Sequence, residues 1–149
     1  MVEPLHELRD ALTGDVLVEG DREYERARLC FNLLIDRRPA AIARCAEASD
    51  LVAALAFGQA RGLEIAVRGG GHNPAGHCAV DDGLVIDLSR MRDVRVDPEK
   101  RIATCQGGAT WLDFDTATIH ITRAKNGTPG IHGLQGGEMR LLSCGGGCQ

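Results

Sequence analysis

The chain has no apolar run approaching the roughly 18 residues that a membrane-crossing helix needs, so a helical membrane span is not expected. It also lacks a surplus of positive charge: 17 Lys and Arg stand against 21 Asp and Glu, a net charge of -4. That balance gives no reason to expect nucleic acid or an anionic membrane surface as partner. Any anionic ligand must then be held by local geometry rather than by a broad positive field. The first residues, Met1 to Leu8, carry acidic side chains where a secretory leader would show a basic start and an apolar stretch, so a cytoplasmic chain is expected. Paired cysteine spacing is missing too. Cys30, Cys45, Cys78 and Cys105 are scattered, and only Cys144 and Cys148 lie close together, which predicts reduced, buried thiols rather than a disulfide framework. No internal repeat is visible, and 149 residues can bury one ordinary core.

What the chain does have is the segment Arg68-Gly69-Gly70-Gly71-His72-Asn73-Pro74-Ala75-Gly76-His77. It follows the apolar run Leu63 to Val67 and precedes another, Leu84 to Leu88. Three glycines without Cβ atoms let a ligand approach the backbone and permit positive φ angles. Successive N–H groups in such a turn can converge on an anion. His72 adds an imidazole able to serve as nucleophile, base or ligand, or simply to hydrogen-bond within the turn. Arg68 can pair with a phosphate oxygen or sit in solvent, and His77 reads more readily as a packing residue.

Neither common phosphate fingerprint fits. Pro74 occupies the position of the third glycine in Gly-x-Gly-x-x-Gly, and Asn73-Pro74 is a poor opening for a long helix. The P-loop spacing from Gly71 to Gly76 is followed by His77 and Cys78, where the nucleotide hydrolases need Lys and Ser or Thr.

Periodicity predicts a short amphipathic helix over 3–12, ending before Gly14, and a second over 23–34. A strand is expected over 40–44, then a helix capped by Ser49 with Leu51, Val52, Leu55 and Ala56 on one face and a stop at Gly62. The strand over 63–67 should pair in parallel with 40–44, so that the glycine loop leaves from a carboxyl end, where parallel sheets bind ligands. Three short strands (84–88, 94–97, 102–106) follow, with Asp97-Pro98-Glu99-Lys100 as a hairpin turn that makes its flanking strands antiparallel. A helix over 109–118 should turn Trp111, Phe114 and Leu112 inward. Asp81-Asp82-Gly83 is a turn signal.

The motifs Asp36-Arg37-Arg38-Pro39-Ala40, Arg68 to Gly76, Gly83-Leu84-Val85-Ile86-Asp87-Leu88-Ser89 and Gly107-Gly108-Ala109-Thr110-Trp111 resemble the flavin-linked oxidases with the p-cresol methylhydroxylase type of FAD domain, in the berberine-bridge-enzyme-like branch. The resemblance runs from about Asn32 to Thr118. It implies an α+β fold, the N-terminal part of such a domain, with a small parallel sheet, flanking helices and short antiparallel strands. It implies FAD as cofactor, with Arg68, Gly69, Gly70, Gly71, His72, Asn73, Gly76 and His77 around it and His72 bonded covalently to the flavin's 8α carbon. The implied activity is hydride transfer from a substrate C–H or alcohol group to FAD, with dioxygen as acceptor.

The expected organisation is a helical lead-in over 1–36, a partial FAD-binding domain over 37–118 and an atypical glycine-rich tail over 119–149 that departs from the family pattern. The family's substrate domain has no counterpart in the sequence, so a truncated product or a partner-completed domain is expected. No catalytic base for a small-molecule substrate is assigned. A non-catalytic flavin-binding module is the alternative. A metal site built from Cys144, Cys148, His120 and His132 is the weaker third reading, because the glycines between the thiols supply no rigid knuckle.

Overall fold

The computed structural model describes residues 3–126 and 138–141. In chain order the elements are α1 (Glu3–Ala11), β1 (Asp15–Leu17), α2 (Tyr24–Arg28), β2 (Ala41–Arg44), α3 (Ala48–Ala60), β3 (Ile65–Arg68), β4 (Leu84–Asp87), β5 (Val94–Asp97), β6 (Ile102–Cys105), α4 (Trp111–Asn126) and β7 (Glu138–Leu141). They form an α+β fold with two sheets, ordered β1-β2-β4-β3 and β5-β6-β7. Among the described residues no helix is long and apolar enough to cross a membrane.

The first sheet corrects one expectation about pairing. β2 and β3 are not neighbours: β4 lies between them and pairs in parallel with both. The reason is legible in hindsight, because Leu84 to Asp87 is buried at every position. A strand covered on both faces reads as a continuous apolar run and belongs in the middle of a parallel sheet, not among edge-exposed antiparallel strands. The side chains alternate between two cores. Ala41, Ala43, Leu84 and Ile86 meet Leu8 of α1, Leu12 just beyond it, and Ala54 and Phe57 of α3 on one face. Ile42, Val85 and Ala66 meet Leu17, Tyr24 and Val80 on the other. β1, antiparallel to β2, has only three residues and gave no alternating signal.

The predicted α1 is present. The helix over 23–34 is not: it stops at Arg28, and Leu29 is already extended at φ -65, ψ 133. Its expected apolar end leaves Phe31 and Leu34 exposed at 73% and 91%. α3 ends as predicted. Gly62 takes φ +62, its N–H donates to the Gln59 carbonyl, and the Leu63 N–H reaches back to Gly58, a Schellman closure. Its start differs, since Glu47 occupies the N-cap position without a side-chain bond and Ser49 lies inside the helix. Its buried face is also shifted, carrying Asp50, Ala54, Phe57 and Gly58, while Val52 and Leu55 are exposed. Asp50, in the first turn, instead ties the helix start to its neighbours. Its carboxylate accepts the N–H groups of Thr13 (2.8 Å), Gly14 (3.0 Å) and Ala46 (2.8 Å), tying the α1–β1 turn and the end of β2 to the start of α3.

The hairpin forms as predicted, with β5 and β6 antiparallel and the Asp97 carboxylate accepting the Glu99 and Lys100 amides. α4 is longer than expected. Trp111 and Leu112 face solvent (57% and 72% exposed), so the inward packing predicted for them is corrected. The Trp111 ring instead meets Phe114 edge-on at 5.8 Å. The four cysteines in the described residues are buried and in no disulfide, as expected. The side chains of Cys144, Cys148, His120 and His132 lie outside the described residues.

Candidate functional site

The glycine loop leaves from the carboxyl end of β3, beside the carboxyl ends of β4 and β2. The Gly107–Gly108 turn comes to the same place. The Gly108 N–H donates to the Met91 carbonyl at 3.0 Å, and a Cβ on Gly108 would fall on the Leu88 carbonyl oxygen. A Cβ on Gly69 would stand 2.5 Å from the Gly107 carbonyl oxygen, so Gly69 is needed for two turns to touch through their backbones. Gly69→Ala is therefore expected to cost about 1–3 kcal/mol through backbone displacement, read as a lower midpoint in urea unfolding.

Inside the loop the two halves differ. The later half is internally satisfied: the Asn73 side-chain oxygen accepts the N–H groups of Ala75 (3.0 Å) and His77 (3.3 Å), and the Gly76 N–H donates to the Asn73 carbonyl at 3.2 Å. This is an Asx-type turn. Gly76 has φ +77, and a Cβ there would press on Ile35 at 2.7 Å. The earlier half is open. Among the described residues, the amides of Gly69, Gly70, Gly71, His72 and Asn73 have no acceptor. Gly71 has φ +72. Under it lies the Arg68 guanidinium, where one nitrogen donates to the Ala27 carbonyl and Nε is buried without a partner. Arg68 is thus half-buried and, among the described residues, not neutralised by a carboxylate.

His72 is exposed at the tip of this open half. A Cβ on Gly70 would stand 2.6 Å from its Cδ2 and 3.2 Å from its Nε2, so that edge of the ring lies over bare backbone. The Phe31 ring sits 5.2 Å from the imidazole, tilted by 38°. The segment after α2 holds the loop at two further points. The Phe31 N–H donates to the Gly71 carbonyl at 3.0 Å, and the Asn32 amide donates to the Pro74 carbonyl at 3.0 Å. Phe31, Asn32 and Ile35 were missed by sequence reasoning because their apolar neighbours suggested the end of a helix. The clue was the surplus: Leu29, Phe31, Leu33, Leu34 and Ile35 are too many apolar residues for one face of a short surface helix.

A cavity of about 370 Å³ opens on the β5–β6 hairpin between Arg95, Val96, Asp97, Lys100, Ile102 and Thr104. It includes none of the loop residues, and its charges are spent on neighbours, Lys100 on Asp97 at 3.1 Å and Arg95 on Asp93 at 2.9 Å.

The loop thus brings together a run of amides without acceptors among the described residues, an orphaned guanidinium nitrogen and close-packed glycines. A family model described as an FAD binding domain matches residues 39–136. The FAD-linked oxidoreductase hasG of Aspergillus fumigatus is 34% identical over 138 residues, covering 91% of this chain and 30% of that protein. The crystal structure of 6-hydroxy-D-nicotine oxidase from Arthrobacter nicotinovorans superposes with a TM-score of 0.69 at 32% identity, over 72% of this chain and 24% of that one. Glucooligosaccharide oxidase from Acremonium strictum, whose FAD is described as 6-S-cysteinyl and 8α-N1-histidyl, superposes with a TM-score of 0.69 at 30% identity, over 83% of this chain and 25% of that one. The chain spans less than a third of the length of these relatives. On the match over residues 39–136 and the shared fold, the chain belongs to the FAD binding domain family, with the p-cresol methylhydroxylase type of domain found in the berberine-bridge-enzyme-like oxidoreductases.

Proposed function

We propose that the loop from Arg68 to His77 holds the FAD pyrophosphate, and that His72 bonds covalently to the flavin's 8α carbon. The observation that carries this reading is the run of five amides, Gly69 to Asn73, without protein acceptors beside an exposed imidazole. Backbone donors of this kind bind phosphate oxygens without a field of lysines, which suits a chain of net charge -4. Gly70 is exposed and Gly69 half-buried, so their amides can be approached from outside, while Gly71, buried at φ +72, shapes the bend. Asn73 and Gly76 hold the turn that aims them, and the unpartnered Arg68 Nε supplies a charge-assisted donor from beneath. The His77 amide is committed to Asn73, so only the His77 side chain remains for the cofactor.

With the Cδ2–Nε2 edge of His72 over Gly70, Nδ1 is turned away from the backbone, and we assign it the bond to the flavin. When bound, FAD supplies two-electron chemistry, taking a hydride from a substrate C–H or alcohol group and passing the electrons to dioxygen. The chain's own part is to grip, orient and anchor. The relatives' names include a nicotine-derived and an oligosaccharide substrate, and we propose small organic molecules as the substrate class of the whole protein built on this domain.

Titration of the purified chain with FAD, followed by flavin fluorescence, tests the cradle. Binding is expected, with ADP competing because it carries the same pyrophosphate; failure of ADP to compete would place the contacts on the ring alone and remove the loop assignment. Gly70→Ala tests the ring seat separately. The added methyl must push the imidazole aside, so acid-stable incorporation is expected to slow about tenfold or more while noncovalent binding changes little. Peroxide formation on a panel of alcohols, sugars and phenolics distinguishes an active oxidase from a flavin-holding module.

A further inference from the structure

We propose that Cys30 and Cys78 form a thiol–disulfide redox site whose closure fastens the 29–35 segment to the glycine loop. The two sulfurs lie 3.6 Å apart although the residues are 48 positions apart in the chain. Both are buried, at 4% and 7% exposure. Cys45, by contrast, is buried in the apolar core with its thiol donating to the Ala43 carbonyl at 3.8 Å. A disulfide needs an S–S distance of about 2.05 Å, so the two sulfurs have to close by roughly 1.5 Å.

The positions matter as much as the distance. Cys30 immediately precedes Phe31, whose N–H is bonded to the Gly71 carbonyl and whose ring stands beside His72. Cys78 immediately follows His77, whose N–H closes the Asn73 turn. The bond would therefore join the two strips of backbone that frame the open amides. In the dithiol state those strips are held by the Phe31 and Asn32 hydrogen bonds, the Phe31–His72 ring contact, apolar contact with Ile35 and the thiol–thiol contact itself, all of them noncovalent.

The oxidant is hydrogen peroxide. One sulfur attacks a peroxide oxygen, the O–O bond breaks, and a sulfenic acid and a water form. The second thiol then attacks that sulfur, the S–S bond forms, the S–O bond breaks and a second water leaves with the remaining thiol proton. Two electrons pass from the pair to one peroxide. Burial, reinforced by the hydrogen bond with Cys78, pushes the Cys30 thiol up to about 11. The Cys30 thiol is therefore protonated near neutral pH, and oxidation should quicken as pH rises toward that value. The proposal does not rest on the flavin assignment, since it requires only the two thiols and peroxide.

The test treats the purified, FAD-free chain with hydrogen peroxide, quenches with N-ethylmaleimide, digests without reduction and maps the cross-links by mass spectrometry. The peptide pair joining Cys30 to Cys78 is expected in about tenfold excess over any other pairing. It should be reversed by dithiothreitol and form faster at about pH 9 than at about pH 7. Hydrogen exchange should slow across 29–36 and 69–79 in the oxidised chain. Comparable yields of other pairings, including Cys144 with Cys148, would overturn the proposal. So would recovery of Cys30 and Cys78 as maleimide adducts while other cysteines oxidise, or the same excess in a urea-unfolded chain. Cys30→Ser and Cys78→Ser should each abolish the cross-link; the wild-type map decides the question even if neither variant folds.

Discussion

His72→Ala is expected to abolish acid-stable flavin attachment while leaving the thermal midpoint of the chain nearly unchanged. The imidazole is exposed and makes no hydrogen bond among the described residues, so its removal strands no partner in the core. Its ring contacts are the Phe31 face and the Gly70 backbone, neither of them a core contact. Surface substitutions of this kind change stability by about 0.5 kcal/mol or less. The chemical effect is of another order, because no other side chain in the loop combines nucleophilicity with this placement. Asn73 is an amide engaged in its own turn, and His77 lies past that turn. The measurement is direct: incubate wild type and variant with FAD, precipitate with acid, and compare flavin absorbance in the pellets. Yellow wild-type and colourless variant pellets, with equal noncovalent binding before acid, are the expected result. Equal colour in both pellets would remove His72 from the attachment role and point to another nucleophile.

The loop's conformation was legible in the sequence because it rests on local features: glycine without Cβ, a histidine in a turn, and Pro74 excluding a long helix. Hairpin, Schellman end and buried thiols were legible for the same reason. What escaped depended on contacts across the chain. The insertion of β4 between β2 and β3 is a tertiary decision, hinted at only by the unbroken apolar stretch Leu84 to Ile86. The 29–35 segment carries helical spacing, yet its Phe31 and Asn32 are recruited by the loop some 40 residues away, a gain that outweighs a marginal helix. Ser49 looked like the cap by residue type, but it lies inside the helix, and the carboxylate that fixes the helix start is Asp50, one position on, which accepts the Thr13 and Gly14 amides. Trp111 went wrong through an assumption that large aromatic residues are buried. The glycine loop was therefore recoverable as a loop, while its supporting wall was not.

Asp50→Ala is expected to produce the largest loss of stability, and by a route that leaves the chemistry of His72 intact. Asp50 is 1% exposed and accepts three amides from two separate strips of chain. Stranding a buried donor costs about 1–3 kcal/mol, so the combined loss is about 3 kcal/mol or more. For a chain of this size that corresponds to roughly 10 °C in thermal midpoint. Asp50→Asn should lose less, since it keeps one acceptor oxygen and turns an NH₂ group toward the remaining amides. Burial works to raise the Asp50 pKa, but the amides of Ala46, Thr13, Gly14 and Glu47 outweigh it and hold the carboxyl below the ordinary aspartate value. A depressed folded-state pKa means that the stabilisation is fully present above the unfolded value of about 3.9 and is lost as pH falls through the lower, folded one. The stability gap between wild type and Asp50→Asn should accordingly hold through neutral pH and narrow below about pH 4. A thermal midpoint for Asp50→Ala within about 2 °C of wild type would show that water replaces the carboxylate at little cost. Together the two variants separate scaffold from site: His72→Ala should keep the melt and lose the flavin bond, whereas Asp50→Ala, held below its lowered midpoint, should still attach flavin in proportion to its folded fraction.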